Sequence, residues 1–412
     1  MVLFIKNIKE LIQTEEKPVL YRAGKDMKTM HKLKDAWLKI EEDFIADFGQ
    51  MDTFSPIETD TVIDAEGGMV FPSFCDSHTH LVYKGSREIE YIDKIRGLSY
   101  EEIAQRGGGI LNTAKRIQKA SEDELFYEAW LRLEEIKRYG TGAVEIKSGY
   151  GLGVEEELKM LRVIKTLKEE SELFIKATFL GAHAVPPEYK GRQGEYVDLI
   201  IREMIPRVSE EGLADFIDVF CDRGFFTVEE TDRMLEAGKK YGLIPKIHAN
   251  ELDYSGGIQT GVKHGALSVD HLEYTGDEEI KALLSSETMP TLLPGAAFFL
   301  GMAYAPARKM IDAGLPLAMA SDFNPGSSPS GNMQLVLSMG CIKYKMLPEE
   351  AINAITINSA YAMGCSKTHG SIARNKKANL FITVPIPTCE FMPYSYGSNK
   401  VKTVILNGKI QS

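Results

Sequence analysis

Cysteine is scarce in these 412 residues. There are five (Cys75, Cys221, Cys341, Cys365 and Cys389), an odd number with no Cys-x-x-Cys pair. That argues against a disulfide framework and fits free thiols in a reducing cytoplasm. Positive charge is also in deficit: 48 Lys and Arg stand against 59 Asp and Glu, a net −11. Such a field disfavours nucleic acid and anionic membrane surfaces as partners. It does not bar a small anionic substrate, because a local arginine overrides the global field. Unbroken hydrophobic runs of membrane-spanning length are missing as well. One uncharged segment, residues 288–307, approaches the roughly 20 residues needed. Pro290, Pro294, Gly295, Gly301 and Pro306 interrupt it, so it reads as a buried strand, a loop and the start of a helix. The first ten residues have charges breaking their apolar run, unlike the basic-then-apolar layout of a signal peptide.

What is present is an ordinary globular composition, with 44% hydrophobic and 26% charged residues, enough for one large domain and a smaller one. Both ends read as strands: residues 3–12 near the start, and 378–384 and 400–406 near the finish, the last followed by an Asn407-Gly408 turn. Residues 37–46 fit either a strand pair or a helix. Residues 13–35 are polar and Lys-rich and read as an exposed excursion. The middle alternates. Apolar, β-branched runs occur at 69–74, 143–147, 174–180, 216–220, 244–247, 266–269, 288–293 and 315–320. Helix-forming stretches lie between them at 122–139, 154–170, 195–209, 227–241, 256–264, 277–284, 305–313 and 332–345. Strands alternating with helices imply a parallel sheet, and eight such units imply an α/β fold, a (β/α)₈ TIM-type barrel. The expected division is a barrel over 66–365 and a small β-sandwich domain assembled from 1–65 and 366–412.

In such a barrel, functional side chains gather at the C-terminal ends of strands. Five of the eight histidines fall there. His78 and His80 follow the first strand candidate, His183 the third, His248 the fifth and His271 the sixth; Asp322 follows the eighth. His31, His264 and His369 lie outside the pattern. In the stretch Phe71-Pro-Ser-Phe-Cys-Asp-Ser-His-Thr-His80, side chains on an extended chain alternate, so His78 and His80 share a face. Alone, that pair is as well explained by two loop histidines. With His248 and Asp322 it makes a three-nitrogen, one-oxygen set suited to Zn²⁺ or Fe²⁺/Fe³⁺, with an open position for water.

These residues and five longer motifs resemble the metal-dependent amidohydrolase superfamily. The motifs are Arg106-Gly-Gly-Gly-Ile110, Glu145-Ile-Lys-Ser-Gly-Tyr-Gly-Leu152, Leu180-Gly-Ala-His-Ala-Val-Pro-Pro-Glu-Tyr189, Asp270-His-Leu-Glu273 and Ser321-Asp-Phe-Asn-Pro-Gly-Ser327. They match the branch whose members open the ring of 4-imidazolone-5-propanoate to N-formimidoyl-L-glutamate, in histidine degradation. The resemblance spans about 65–365 and implies a homodimer. It implies His78, His80, His248 and Asp322 as metal ligands. Many superfamily members carry a carbamylated lysine on strand 4 that bridges two metals. Here that strand ends Asp218-Val-Phe-Cys-Asp222, and Lys147 lies on strand 2, so a single divalent ion is expected, with Cys221 a buried apolar residue.

The remaining roles follow beside that resemblance. Glu251, three residues past His248, is placed to take a proton from water and pass it to the departing ring nitrogen, or else is a capping glutamate. His271 can bond the attacking water or the developing oxyanion, or can sit beside or behind the metal. Asp322 can also shuttle a proton. The carboxylate tail of the substrate calls for a cation: Arg87 is the family's match and Lys84 its nearby competitor. Tyr150 and His183 offer hydrogen bonds. The loop with Asn324, Gly326 and Ser327 fits either an anion-binding turn or a simple connection. The Gly107-Gly-Gly109 run fits either a flexible closure or a linker. A nucleobase or aromatic-ring deaminase uses the same metal set but has no carboxylate to bind, and a non-catalytic relative would usually lack the ligands.

Overall fold

The computed structural model describes residues 2–56, 61–98 and 109–411. Eight parallel strands form the barrel in sequence order: Phe74–Thr79, Thr141–Lys147, Phe174–Ala182, Phe216–Cys221, Ile244–Ala249, Ser268–His271, Met289–Leu292 and Ala318–Met319. The eighth strand is only two residues long, so the last seam closes beyond it. There Asp322 N–H donates to the His78 carbonyl at 3.0 Å, and His80 N–H donates to the Phe323 carbonyl at 2.9 Å. Two prospective ligands are therefore stitched together by backbone before their side chains meet anything.

Helices fill the intervals. Val154–Glu170 and Asp277–Leu284 match the sequence reading residue for residue. Glu122–Arg138 begins with a Ser121–Glu124 capping box, and Val228–Lys240 with a Thr227–Glu230 one. The expected helix at 195–209 is divided into Gln193–Leu199, a π-helical turn Ile200–Met204, and Ile205–Glu210. Pro206 has no N–H to give the ladder there, which explains the looser turn before it. The uncharged 288–307 stretch is a strand running straight into the helix Pro294–Leu300. No helix among the described residues is long and apolar enough to cross a membrane.

A second sheet is built from both chain ends. Val2–Ile12, Lys32–Glu41, Phe44–Gln50, Thr61–Asp64 and Val70–Pro72 join Leu380–Thr383, Val401–Leu406 and Lys409–Ile410. All eight belong to one hydrogen-bonded sheet, curled so that residues 43–45 bond back to 375–378. The ambiguous 37–46 stretch is a hairpin, and Asn407 and Gly408 both take positive φ in their two-residue turn.

Two expectations need correction. The run at 69–74 is not the first barrel strand: Val70–Pro72 pairs with Leu380–Ile382 in the end sheet. The chain changes sheets at Ser73, whose N–H donates to the Asn379 carbonyl, while that of Phe74 donates to Gly140 in the barrel. Pro72, without an N–H, cannot carry the first ladder onward. Nor are residues 13–35 merely an exposed excursion. Their Lys-rich surface hides an anchor: Met27 is fully buried, Asn353 Nδ2 donates to the Met27 carbonyl at 2.7 Å, and Gly24 N–H donates to the Leu315 carbonyl at 3.0 Å. The segment straps the end sheet to the barrel.

Candidate active site

His78 is the fifth residue of the first barrel strand, and His80 follows it. The alternation that the sequence implied holds, and both rings face the barrel axis with His248 from strand five. Ring centroids are 5.3 Å apart for His78–His80 and 4.5 Å for His78–His248. Asp322 Oδ1 lies 3.6 Å from Nε2 of both His78 and His80. Two overlapping triads have ligand atoms within 4.8 Å of one another: His78, His80 and Asp322, and His78, His248 and His271. His78 belongs to both. His271 thus comes as near to a ligand position as His248 does.

Each of these side chains is buried. Burial holds the His78, His80 and His271 rings well below the ordinary imidazole range, with the positive charge of neighbours adding to it. Neutral rings offer lone pairs. Nε2 of His78 and Nε2 of His248 are buried with no hydrogen-bond partner among the described residues. Orphaned acceptors of this kind are costly in a dry interior unless something occupies them. The donor set therefore fits a metal ion. Behind the rings, His78 Nδ1 is 2.6 Å from Asp270 Oδ2, and His248 Nδ1 is 2.9 Å from Asp218 Oδ2. The hydrogen bond to Asp270 fixes the tautomer and orientation of His78, whereas His248 Nδ1 stands within ion-pair distance of Asp218 without a well-aligned hydrogen bond.

The strand ends that carry these groups are conformationally unusual. Asn250, His271 and Asp322 adopt φ of 55°, 86° and 53°. Non-glycine residues rarely do so, and such backbone clusters where surrounding structure over-determines it. Glu251 follows Asn250. Its backbone N–H donates to Asp222 Oδ2 at 2.7 Å, and its Oε2 lies 3.7 Å from His271 Nε2. Burial, with the charges of Asp322 and Asp222, pushes its carboxyl up to about 8. Burial likewise raises Asp322 to about 7. Glu273 lies behind His271, 3.8 Å from its Nδ1, and burial with the Glu251 charge raises it well above the carboxylate range.

These groups open into a cavity of about 900 Å³. Tyr150 and His183 line it beside His80, with centroids 5.7 and 5.2 Å from that ring. His183 Nδ1 is 2.9 Å from the Gly149 carbonyl, and burial lowers the ring to about 3. Arg87 lines the cavity, gripped by Glu90 through Nε (2.8 Å) and Nη2 (2.6 Å). Lys84 instead pairs with Glu124 and Glu128 and is not part of the lining. The sequence reading missed two further cations in the wall, Arg223, which pairs with Asp253, and Lys94, whose Nζ donates to the Gly326 carbonyl at 3.3 Å. Lys94 sits one helical turn past Glu90, the residue that grips Arg87. Asn324, Gly326 and Ser327 line the cavity too. The amides of Gly326 and Ser327, however, both donate to Asn324 Oδ1 at 2.8 Å, so they are not free for an anion. Cys221 is buried and outside the cavity lining. His264 pairs with Asp232, and His369 packs on Phe174, away from the site. Of the glycine run, residues 107 and 108 lie outside the described residues, as does Arg106.

Comparison with known proteins agrees with this geometry. The amidohydrolase family model matches residues 69–411. The chain is 56% identical over 410 residues to an imidazolonepropionase of Christiangramia forsetii and 55% identical to one of Flavobacterium johnsoniae, covering all of each. It is 42% identical to one of Alkaliphilus oremlandii, over 99% of this chain and 97% of that one. The chain belongs to the imidazolonepropionase branch of the amidohydrolase family. Solved structures with the same fold include a triazine hydrolase variant (TM-score 0.76, 16% identity, 99% of this chain and 94% of that one). A 5-methylcytosine deaminase from Klebsiella pneumoniae is another (TM-score 0.75, 16% identity, 99% and 98%). Membership makes the chain a metal-dependent hydrolase of cyclic amide or amidine bonds.

Proposed function

We propose that this chain hydrolyses the ring C–N bond of 4-imidazolone-5-propanoate, giving N-formimidoyl-L-glutamate. The observation that carries the reading is a single cavity holding both a metal-type donor set and Arg87, the group a propionate tail needs. His78, His80, His248 and Asp322 would hold one divalent ion, zinc or iron, with His271 beside it. When bound, that ion polarises a carbonyl and lowers the pKa of water.

The chain's own residues do the rest. Arg87 binds the propionate through its guanidinium and so fixes which end of the ring enters first. Tyr150 and His183 bond the ring edge. Glu251, whose carboxyl burial raises to about 8, acts in its ionised form: it accepts the proton of the attacking water and returns it to the ring nitrogen as the C–N bond breaks. His271, 3.7 Å from Glu251, steadies the developing negative oxygen. Asp322, held by Ser327 Oγ at 3.2 Å, assists the proton transfer. The reading extends to a homodimer in the cytoplasm without a nucleic-acid partner, supported by the net charge and the resemblance. Turnover of imidazolone-propionate, compared with cytosine and a panel of cyclic amides, tests it. Rapid hydrolysis of the propionate alone is the expected result; preferential release of ammonia from cytosine would replace this reading with a deaminase.

A further inference from the structure

Lys147 has no place in the reaction above, and strand two is too early for it to bridge metals. Its neighbours are nonetheless specific. The side chain is fully buried, with Nζ 2.6 Å from Glu145 Oε1, 2.9 Å from Asp218 Oδ2 and 3.7 Å from Asp270 Oδ2. The last two carboxylates are those that back the ligand rings: Asp218 faces His248, and Asp270 faces His78. In each it is the same oxygen, Oδ2, that meets both the ammonium and the ring nitrogen. The other oxygens are already held. Asp218 Oδ1 accepts the His248 backbone N–H at 3.0 Å, and Asp270 Oδ1 accepts the Ser268 hydroxyl at 2.5 Å. Glu145 is pinned from its far side by Lys246, so Lys147 has a fixed anchor.

We propose that Lys147 is a positioning residue for the metal: it ties Asp218 to Asp270 and thereby fixes the His248 and His78 rings with Nε2 of each free to bind. The assignment rests on these histidines being ligands, as read above. Two carboxylates sharing a dry interior repel, and a salt bridge there depends on good geometry and full hydrogen bonding. One ammonium between them offsets the repulsion and keeps Asp270 Oδ2 bonded to the His78 ring and Asp218 Oδ2 within 2.9 Å of His248 Nδ1. Removing it frees both carboxylates to swing, and the rings behind which they stand lose their set orientation. Loss of such support behind a ligand typically weakens metal binding by roughly 10- to 100-fold.

The test is Zn²⁺ affinity of the full-length protein, measured by chelator competition, for Lys147→Met and for the double variant Glu145→Gln/Lys147→Met. The double variant keeps the net buried charge and guards against simple misfolding. A 10- to 100-fold weaker affinity is expected in the folded protein, with kcat reduced at saturating Zn²⁺ far less than affinity, and KM within about two-fold of wild type. Wild-type affinity in either folded variant would overturn the inference. So would failure of both to fold, since that assigns Lys147 to stability rather than to the ligands. Wild-type protein that binds no Zn²⁺ would instead sink the ligand reading itself, a separable outcome.

Discussion

The two ends of the cavity are built in different ways. At the metal end His78, His248 and His271 lie on strands, His80 lies just past one, and Glu251 and Asp322 lie within three residues of one, all of them buried. Barrel ladder bonds fix the backbone, and Asp218 and Asp270 fix the rings from behind. At the tail end, Arg87 precedes the short helix Glu88–Ile95, and Gly326 sits in a connecting loop. Their order comes from side chains: Glu90 grips Arg87 and also accepts Gly109 N–H and Asn112 Nδ2, each at 3.0 Å. On the roles proposed above, the chemistry is mounted on the rigid scaffold, and the recognition on what the loops bring to it. Changes at the first end should act on kcat or metal content, and changes at the second on KM.

The sharpest way to test that division is Glu251→Gln. The amide keeps the shape and removes the base, so kcat should fall by roughly 10²- to 10⁴-fold. Steady-state kinetics with metal analysis of the same sample checks it. Loss of metal alongside kcat would show Glu251 to be a ligand and merge the two roles. Arg87→Ala should act at the other end. A charged hydrogen-bonded pair is worth about 1.5–3 kcal/mol, or roughly 10- to 150-fold in KM for the propionate substrate. An analogue lacking the carboxylate should be nearly unaffected, and equal effects on both would remove the assignment.

The metal end was also the more legible one in the sequence. His78 and His80 share a face because strand geometry has a period of two, and that argument survived the correction of the strand itself from 69–74 to Phe74–Thr79. The misplaced boundary arose because 70–72 is apolar for a different sheet, and apolar runs do not say which sheet they join. Asp322 and His271 were placed beside that pair by the same logic of strand ends, although their left-handed backbone leaves no local signal. The preference for Arg87 over Lys84 came from family resemblance; in the structure Arg87 lines the cavity and Lys84 turns to Glu124 and Glu128. What sequence could not reach were contacts between distant residues: Asp270 with His78 is 192 positions apart, and Lys147 with Asp218 is 71. The buried strap at 13–35 was hidden for the same reason, its lysines being local and its Asn353 partner remote.

Gly326→Ala is the mildest change and the most selective for the tail end. A β-carbon built there would stand 2.1 Å from Arg87 Nη1, closer than real contacts allow. Gly326 has no positive φ, so alanine brings no backbone strain with it, and the whole effect falls on the guanidinium. Arg87 is the far end of a flexible side chain and can yield, but only by loosening its grip from Glu90. The carbonyl of Gly326, which accepts from Lys94, stays in place, so that cation of the wall is kept. A rise in KM of about 10-fold, or ~1.4 kcal/mol, is therefore expected, less than for loss of Arg87 outright. kcat should stay within about two-fold, since nothing at the metal end has moved. Steady-state kinetics on the propionate substrate separates the two parameters. A fall in kcat with KM unchanged would mean that the ends of the cavity are mechanically coupled, and that the loop of Asn324 and Ser327, through Asp322, transmits strain to the metal ligands.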